Sequence, residues 1–365
     1  MNGARGPRPY ETMNMKTFLI YGSYGYTGQL IVDLAVKEGL RPMLAGRNER
    51  KLRAQARKYN LAYRAFSLNE TTKLDSALLE VDAVLHCAGP FVHTFRQMAE
   101  ACIRTKRHYV DISGELAGFE ALASMNDQAK QAGMMLLPGG GFDVVPTDCL
   151  AAHLKQRLPD ATRLRLFLHG VGAGVSRGTA KSAVENMQRQ GMIRRDGKLI
   201  QVPPVWKALM QDFGRGAVRV ISVGWGDVST AYHSTGIPNV ETYLYLPQVI
   251  VNLMYDMRVL GPLVYNRPVK FILKSIINLY PKGPTEAKRM KRFATMIGEV
   301  TNAQGGRAVS KLRTREGYTF TAQVTVAIMK RIMNGEYKTG FQTPSLAYGS
   351  DFILQFTGVT REDLE

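Results

Sequence analysis

Along residues 16–150, short apolar runs alternate with longer stretches in which apolar residues recur every three or four positions. "TFLIYG", "PMLAG", "AYRAFSL", "VDAVLHCAG", "HYVDIS" and "MMLLPG" have the length and side-chain types of strands. Between them, 28–38, 48–59, 94–105 and 118–132 carry the period of amphipathic helices. Strands apolar on both faces, each followed by a helix, predict an α/β fold with a doubly wound parallel sheet, and six strands make a full set.

Beyond residue 150 the pattern changes. Thr147 is placed to cap a helix, after which "TRLRLFLHGVG" alternates basic with apolar residues, as a strand with one wet face does. "SRGTAKSAVENMQRQ" reads as a helix with Ser176 at its N-cap. "IRRDGKLIQV" reads as a hairpin around Asp196-Gly197, "VRVISVGWGDVSTAYHSTG" as further strands, and "AVSKLRTREGYTFTAQVTV" as a hairpin turning at Glu316-Gly317. The pattern predicts a Rossmann-type domain at 16–150 and an α+β domain at 151–339, with a mixed or antiparallel sheet, for substrate binding or dimerisation. Residues 1–15 lack an apolar core and read as a disordered extension, not a signal peptide.

From Tyr243 to Tyr280 the chain is rich in Leu, Ile, Met and Tyr, but Asp256, Arg258, Arg267, Lys270 and Lys274 interrupt it. No uninterrupted run is long enough to span a bilayer. This amphipathic helical insertion either packs on the second domain or a second subunit, or lies at a membrane interface.

Composition narrows the options. Three scattered cysteines, Cys87, Cys102 and Cys149, fit neither a disulfide framework nor a metal centre, and the histidines form no cluster, so no metal is expected. The net charge of +18 is concentrated in the second half: residues 1–150 hold 18 Lys and Arg against 15 Asp and Glu, and 151–365 hold 30 against 15. Such asymmetry points to an anionic partner, yet no nucleic-acid-binding motif is present. A cytoplasmic protein, or one peripheral to a membrane, is expected.

Chemistry enters at the strand ends. Gly22, Gly25 and Gly28 follow the first strand and open a helix, in the stretch Gly22, Ser23, Tyr24, Gly25, Tyr26, Thr27, Gly28. The first glycine permits a tight turn, the second lets a diphosphate approach the backbone, and the third lets the helix pack on the sheet with its N-terminal amides toward the phosphates. At the end of the second strand, where an acid would take the ribose 2′-hydroxyl of NAD, stands "LAGRNERKL". A guanidinium at Arg47, with Arg50 and Lys51 one turn on, suits a 2′-phosphate, so NADP(H) is the expected cofactor. Ala88, Gly89, Pro90 and Phe91 in "HCAGPF" are placed to meet the nicotinamide end. Asp111, Glu115 and Tyr109 are candidate proton donors, with Asp143 behind them. Asp143, Arg177 and Lys181 are candidate substrate contacts.

"YGSYGYTG", "LAGR", "CAGPF", "ACIRTKRHYVDISGE" and "GGGFDVVPTD", in this order, resemble the saccharopine dehydrogenase-like oxidoreductases, particularly the branch containing the trans-acting enoyl reductases. The resemblance implies an NADP(H)-binding Rossmann domain, an inserted α/β domain and hydride transfer to a C=C or C=N bond. "TGFQTPSLAYGSDFILQFTGV" resembles that family's C-terminal segment, which implies that 340–365 returns to the first domain. The apolar, tyrosine-rich second half points to a hydrophobic or carrier-linked lipid or polyketide substrate. A saccharopine- or opine-type amino-acid dehydrogenase, and a lipid-associated Rossmann protein without turnover, are the alternatives.

Overall fold

In a computed structural model, described over residues 16–170, 176–186, 191–252, 254–255, 267–279 and 283–365, the first half folds as the alternation predicts. The extension at 1–15 lies outside the described residues. Strands β1 (Phe18–Tyr21), β2 (Met43–Gly46), β3 (Tyr63–Ala65), β4 (Ala83–His86), β5 (His108–Asp111) and β6 (Met135–Leu137) alternate with helices α1 (Tyr26–Lys37), α2 (Glu49–Tyr59), α3 (Thr71–Leu79), α4 (Phe95–Thr105), α5 (Leu116–Ala123) and α6 (Asn126–Gln131). All neighbours pair in parallel, in the order β6-β5-β4-β1-β2-β3. Because β1 is buried along its whole length, both of its faces are apolar. The chain leaves β1 and β4 in opposite directions, which opens the crevice where such folds place ligands.

The second half contains α7 (Val145–Arg157), β7 (Arg163–His169), α8 (Arg177–Asn186), β8 (Gly191–Arg195), β9 (Lys198–Val202), β10 (Ala208–Asp212), β11 (Ala217–Val223), α9 (Asp227–Thr235) and β12 (Asn239–Leu244). There follow α10 (Arg267–Ile277), α11 (Glu286–Met290), β13 (Phe293–Thr301), β14 (Arg307–Arg315), α12 (Gly317–Met333), β15 (Gly340–Phe341), α13 (Pro344–Tyr348) and β16 (Thr360–Asp363). The second sheet runs β10-β11-β12-β7-β13-β14-β16, with β8 joined to β12 and β9 to β8. β7 and β12 are parallel and the other pairs antiparallel, so the sheet is mixed. The alternation in β7 sends Leu164, Leu166 and Leu168 into the main core, while Phe167 stacks on Tyr243 on the other face. Gly298 lets α7 close on this sheet, since a Cβ there would lie 2.4 Å from Leu154.

Several expectations change. Glu316-Gly317 is not a hairpin turn: β14 ends there and α12 begins, with the Glu316 carboxylate accepting from the amide of Thr319. Phe320, Val324 and Ile328, four apart and fully buried, override the alternation of "TFTAQVTV". Thr147 lies inside α7 and does not cap it, its hydroxyl reaching Val144 O and Asp227 Oδ1. The stretch 218–236 gives one strand, β11, followed by α9. α12 packs against α1 and shares its core. β15 extends the first sheet by pairing with β6, whereas β16 pairs with β14 in the second sheet. Within 243–280, the described part is the end of β12, a helical stretch at 248–252, and α10; residues 253, 256–266 and 280 lie outside the description. No described helix is long and apolar enough to cross a membrane.

Candidate nucleotide-binding and active site

The glycine loop packs as its spacing requires. Gly22 has φ +85°, a conformation other residues rarely adopt, and its amide donates to Ala45 O. A Cβ on Gly28 would lie 2.5 Å from Gly22 O and 3.0 Å from the Ser23 backbone, so only glycine brings α1 this close to the turn. Gly25 is the N-cap of α1, with no side-chain hydrogen bond to the first amides and no acid in the first turn. The positive end of the helix is thus left for an anion, and the cradle fits a diphosphate. Ser23 is fully buried, and its hydroxyl points into the protein, donating to Gln55 2.8 Å away.

At the end of β2, Gly46 makes room for the ring of Tyr24, which lies 2.7 Å from where its Cβ would be. The Tyr24 hydroxyl accepts from the amides of Arg47 and Asn48, both at 3.2 Å, and Lys51 Nζ lies over the ring. Tyr24 therefore ties the glycine loop to the β2–α2 turn. The exposed Arg47 side chain has no hydrogen-bond or ion-pair partner among the described residues, and Arg50 is exposed beside it. A phosphate at this edge would meet a free guanidinium.

Of the candidate acids, Asp111 is 1 % exposed and fully engaged: it accepts from the Tyr109 hydroxyl at 2.6 Å and from the amides of Ser113 and Gly139, both at 2.9 Å. Burial still raises it to about 6. Tyr109 is fully buried, and burial with the adjacent Asp111 pushes its phenol well up. Glu115 accepts from the amides of Phe91 and Val92, at 3.0 and 2.7 Å, and so holds the turn that follows β4. Pro90 joins Gly89 through a cis peptide in this turn, and Thr94 Oγ1 donates to Ala88 O. Asp111, Tyr109 and Glu115 are thus brought together as a frame for the strand ends, with their polar atoms spent on one another and on backbone. His86, fully buried at the end of β4, is pushed down to about 3 by burial and stays neutral.

Asp143 is different. It follows β6 and presses on the end of β5, where a Cβ on Gly114 would lie 3.0 Å from Asp143 Oδ2. Its carboxyl has no hydrogen-bond or ion-pair partner among the described residues, is not sealed from solvent, and is raised by burial to about 6. Its backbone is anchored from the second domain, since Trp225 Nε1 donates to Asp143 O at 2.8 Å. α8 crosses above the end of β4, with Ser182 Oγ 3.5 Å from where a Gly89 Cβ would sit, which places Arg177 and Lys181 on a helix bordering the crevice. Ser176 caps this helix, accepting from the amide of Thr179.

Sequence reasoning missed the contacts that close over the loop. Tyr26 meets Tyr318 edge-on, and its hydroxyl donates to Pro284 O and accepts from Arg289 Nη1. These residues lie more than 250 positions apart, and no local pattern links them. Among the described residues, no group of His, Cys, Asp and Glu could hold a metal ion.

Comparison with known proteins agrees with this geometry. Residues 18–137 match the family model of the saccharopine dehydrogenase NADP binding domain. The human saccharopine dehydrogenase-like oxidoreductase is 24% identical over 212 residues, covering 51% of this chain and 49% of that protein. The trans-acting enoyl reductase of Mycobacterium leprae is 29% identical over 150 residues, covering 38% and 35%. The chain thus spans about half, or less, of the length of these curated relatives. Apo saccharopine dehydrogenase (L-Glu forming) from Saccharomyces cerevisiae superposes with a TM-score of 0.61 at 12% identity, covering 96% of this chain and all of that one. Residues 18–137 of this chain are thus similar to the saccharopine dehydrogenase NADP binding domain, within a fold shared with saccharopine dehydrogenase.

Proposed function

We propose that the protein is an NADP(H)-dependent oxidoreductase that reduces an enoyl C=C bond, or less favourably a C=N bond, in a hydrophobic or carrier-linked substrate. NADPH, when bound, supplies the hydride. The backbone at Gly22, Gly25, Tyr26, Thr27 and Gly28 cradles the diphosphate, and Arg47 takes the 2′-phosphate. Ala88, Gly89, Pro90 and Phe91 border the nicotinamide end, where small residues leave room. Asp143, not Asp111 or Glu115, is the group left to deliver a proton.

The observation that carries this reading is the pairing of an uncapped, glycine-lined helix start with one unpartnered carboxyl at the neighbouring strand ends. The enoyl reductase relative supports the choice of bond. Exposed apolar side chains on α10 and just beyond its end support a lipid-like substrate and peripheral contact with a membrane: Phe271 on the helix is 73% exposed and Leu279 after it 84%.

The test is consumption of NADPH with trans-2-dodecenoyl-CoA, run beside glutamate with an aldehyde for imine reduction. Turnover of the imine alone would move the assignment to the amino-acid dehydrogenases. Arg47→Ala is expected to weaken NADPH by about tenfold or more and leave NADH nearly unchanged, as loss of a charge-assisted contact requires. An unchanged preference would remove the 2′-phosphate role. Failure to float with anionic liposomes would remove the membrane contact.

A further inference from the structure

Arg289 lies in sequence far from the nucleotide domain, on the five-residue helix α11. Its segment comes down onto the start of α1. Gly283 is required for this approach, since a Cβ there would lie 2.5 Å from the ring of Tyr26. Tyr26 is the first residue of α1, next to the N-cap glycine. Arg289 Nη1 donates to the Tyr26 hydroxyl at 2.9 Å and to Pro284 O at 3.0 Å, and its Nε donates to Thr319 Oγ1 at 3.3 Å. All three partners are neutral oxygens, and no carboxylate among the described residues lies within ion-pair distance of this guanidinium. The half-buried arginine meets the nearby Glu316 carboxylate only through the Thr319 hydroxyl, which donates to Glu316 Oε2, and so keeps charge to offer beside a helix start that is itself positive and carries no acid.

A charge arranged this way is stabilised by an anion at the glycine loop. Resting on the reading of that loop as an NADP(H) site, we infer that Arg289 is a second-domain ligand of the dinucleotide diphosphate, presented by Tyr26, Tyr318 and Gly283. The nucleotide is then held between the Rossmann loop and the strap that leads into β13. Arg47 and Arg289 divide the work: Arg47 reads the 2′-phosphate and sets the preference for NADPH over NADH, whereas Arg289 acts on the diphosphate that both nucleotides share.

The experiment is titration of the full chain with NADPH and with NADH, followed by fluorescence, at low and at raised salt. Arg289→Met keeps most of the side-chain packing and is expected to weaken both nucleotides by about tenfold with their ratio unchanged, and to flatten the salt dependence. Arg289→Lys should recover part of the affinity by restoring a point charge. Tyr26→Phe removes the hydroxyl but leaves the charge, and should stay within about threefold of wild type, the loss of one neutral hydrogen bond. Wild-type affinity in Arg289→Met, or an equal loss in Tyr26→Phe, would overturn the inference and leave a packing role. A wild-type chain that binds neither nucleotide would overturn the cofactor reading and this inference with it. Wild-type binding with an unaffected Arg289→Met would overturn the inference alone.

Discussion

Replacing Asp143 with Asn separates what this carboxyl costs the fold from what it does in the reaction. Burial without a partner raises it from 3.8 to about 6. At about 1.4 kcal/mol per unit, the ionised group costs the native state on the order of 3 kcal/mol, reduced to about 2 because the carboxyl retains some solvent access. The sign follows from linkage: below 3.8 the group is protonated in both states and there is no penalty. Stability is lost as pH rises through about 6 and stays lost above it. Asp143→Asn removes the ionisation, so the variant should match wild type in urea unfolding near about pH 3.5 and exceed it by about 2 kcal/mol near about pH 8. Activity should move the other way. Loss of a general acid costs roughly a hundredfold to ten-thousandfold in kcat, and the alkaline fall in wild-type kcat near pH 6 should vanish in the variant. An Asn variant less stable than wild type near about pH 8 would refute the unpartnered carboxyl. One that keeps wild-type kcat and its pH profile would refute the proton donor.

Gly28→Ala should cost about 1–3 kcal/mol in urea unfolding and abolish NADPH binding, because the added methyl meets Gly22 O at 2.5 Å and must push α1 off the loop. Glu120 of α5 accepts from Arg194 of β8 and Ser229 of α9, joining the first domain to the second. Burial alone would raise Glu120, but the nearby His233 ring, 3.5 Å away, the hydrogen bond from Ser229 and the charge of Arg194 outweigh it and bring it down to about 2. Glu120→Gln should therefore lower stability by about 2 kcal/mol at neutral pH, leaving the buried Arg194 without its counter-ion. The tie is present above the ordinary 4.5 and lost as pH falls through about 2, so the gap between wild type and variant should close over that range in acid unfolding.

Much of the first domain was legible because its information is local. A strand buried on both faces must be apolar throughout, and a helix covering it must repeat its apolar residues every three to four positions, so β1 to β6 and their helices follow from a short window of sequence. The glycine loop is local too, since each glycine answers a backbone approach within seven residues. The absence of an acid after β2, and Arg47 in its place, is likewise written in one stretch.

The second half resisted for the converse reason. The alternation of "TFTAQVTV" suits a strand, but α12 is helical because Phe320, Val324 and Ile328 find the α1 face of the first domain, a contact no local window contains. Asp111 and Glu115 carry the residue type and position of proton donors, and only the fold reveals that their oxygens are consumed by Tyr109 and by the amides of Ser113, Gly139, Phe91 and Val92. Asp143 is free by the same accounting, and Arg289 reaches Tyr26 across more than 260 residues. The sequence by itself determined the doubly wound sheet, the glycine-lined turn into α1 and the basic residue that stands after β2, because each depends on backbone space and charge within one turn or strand. Which acid remains unpaired, which helix covers the loop and which distant cation faces it were decided only by the tertiary structure, since a hydrogen bond is spent or spared by whatever the rest of the chain brings beside it.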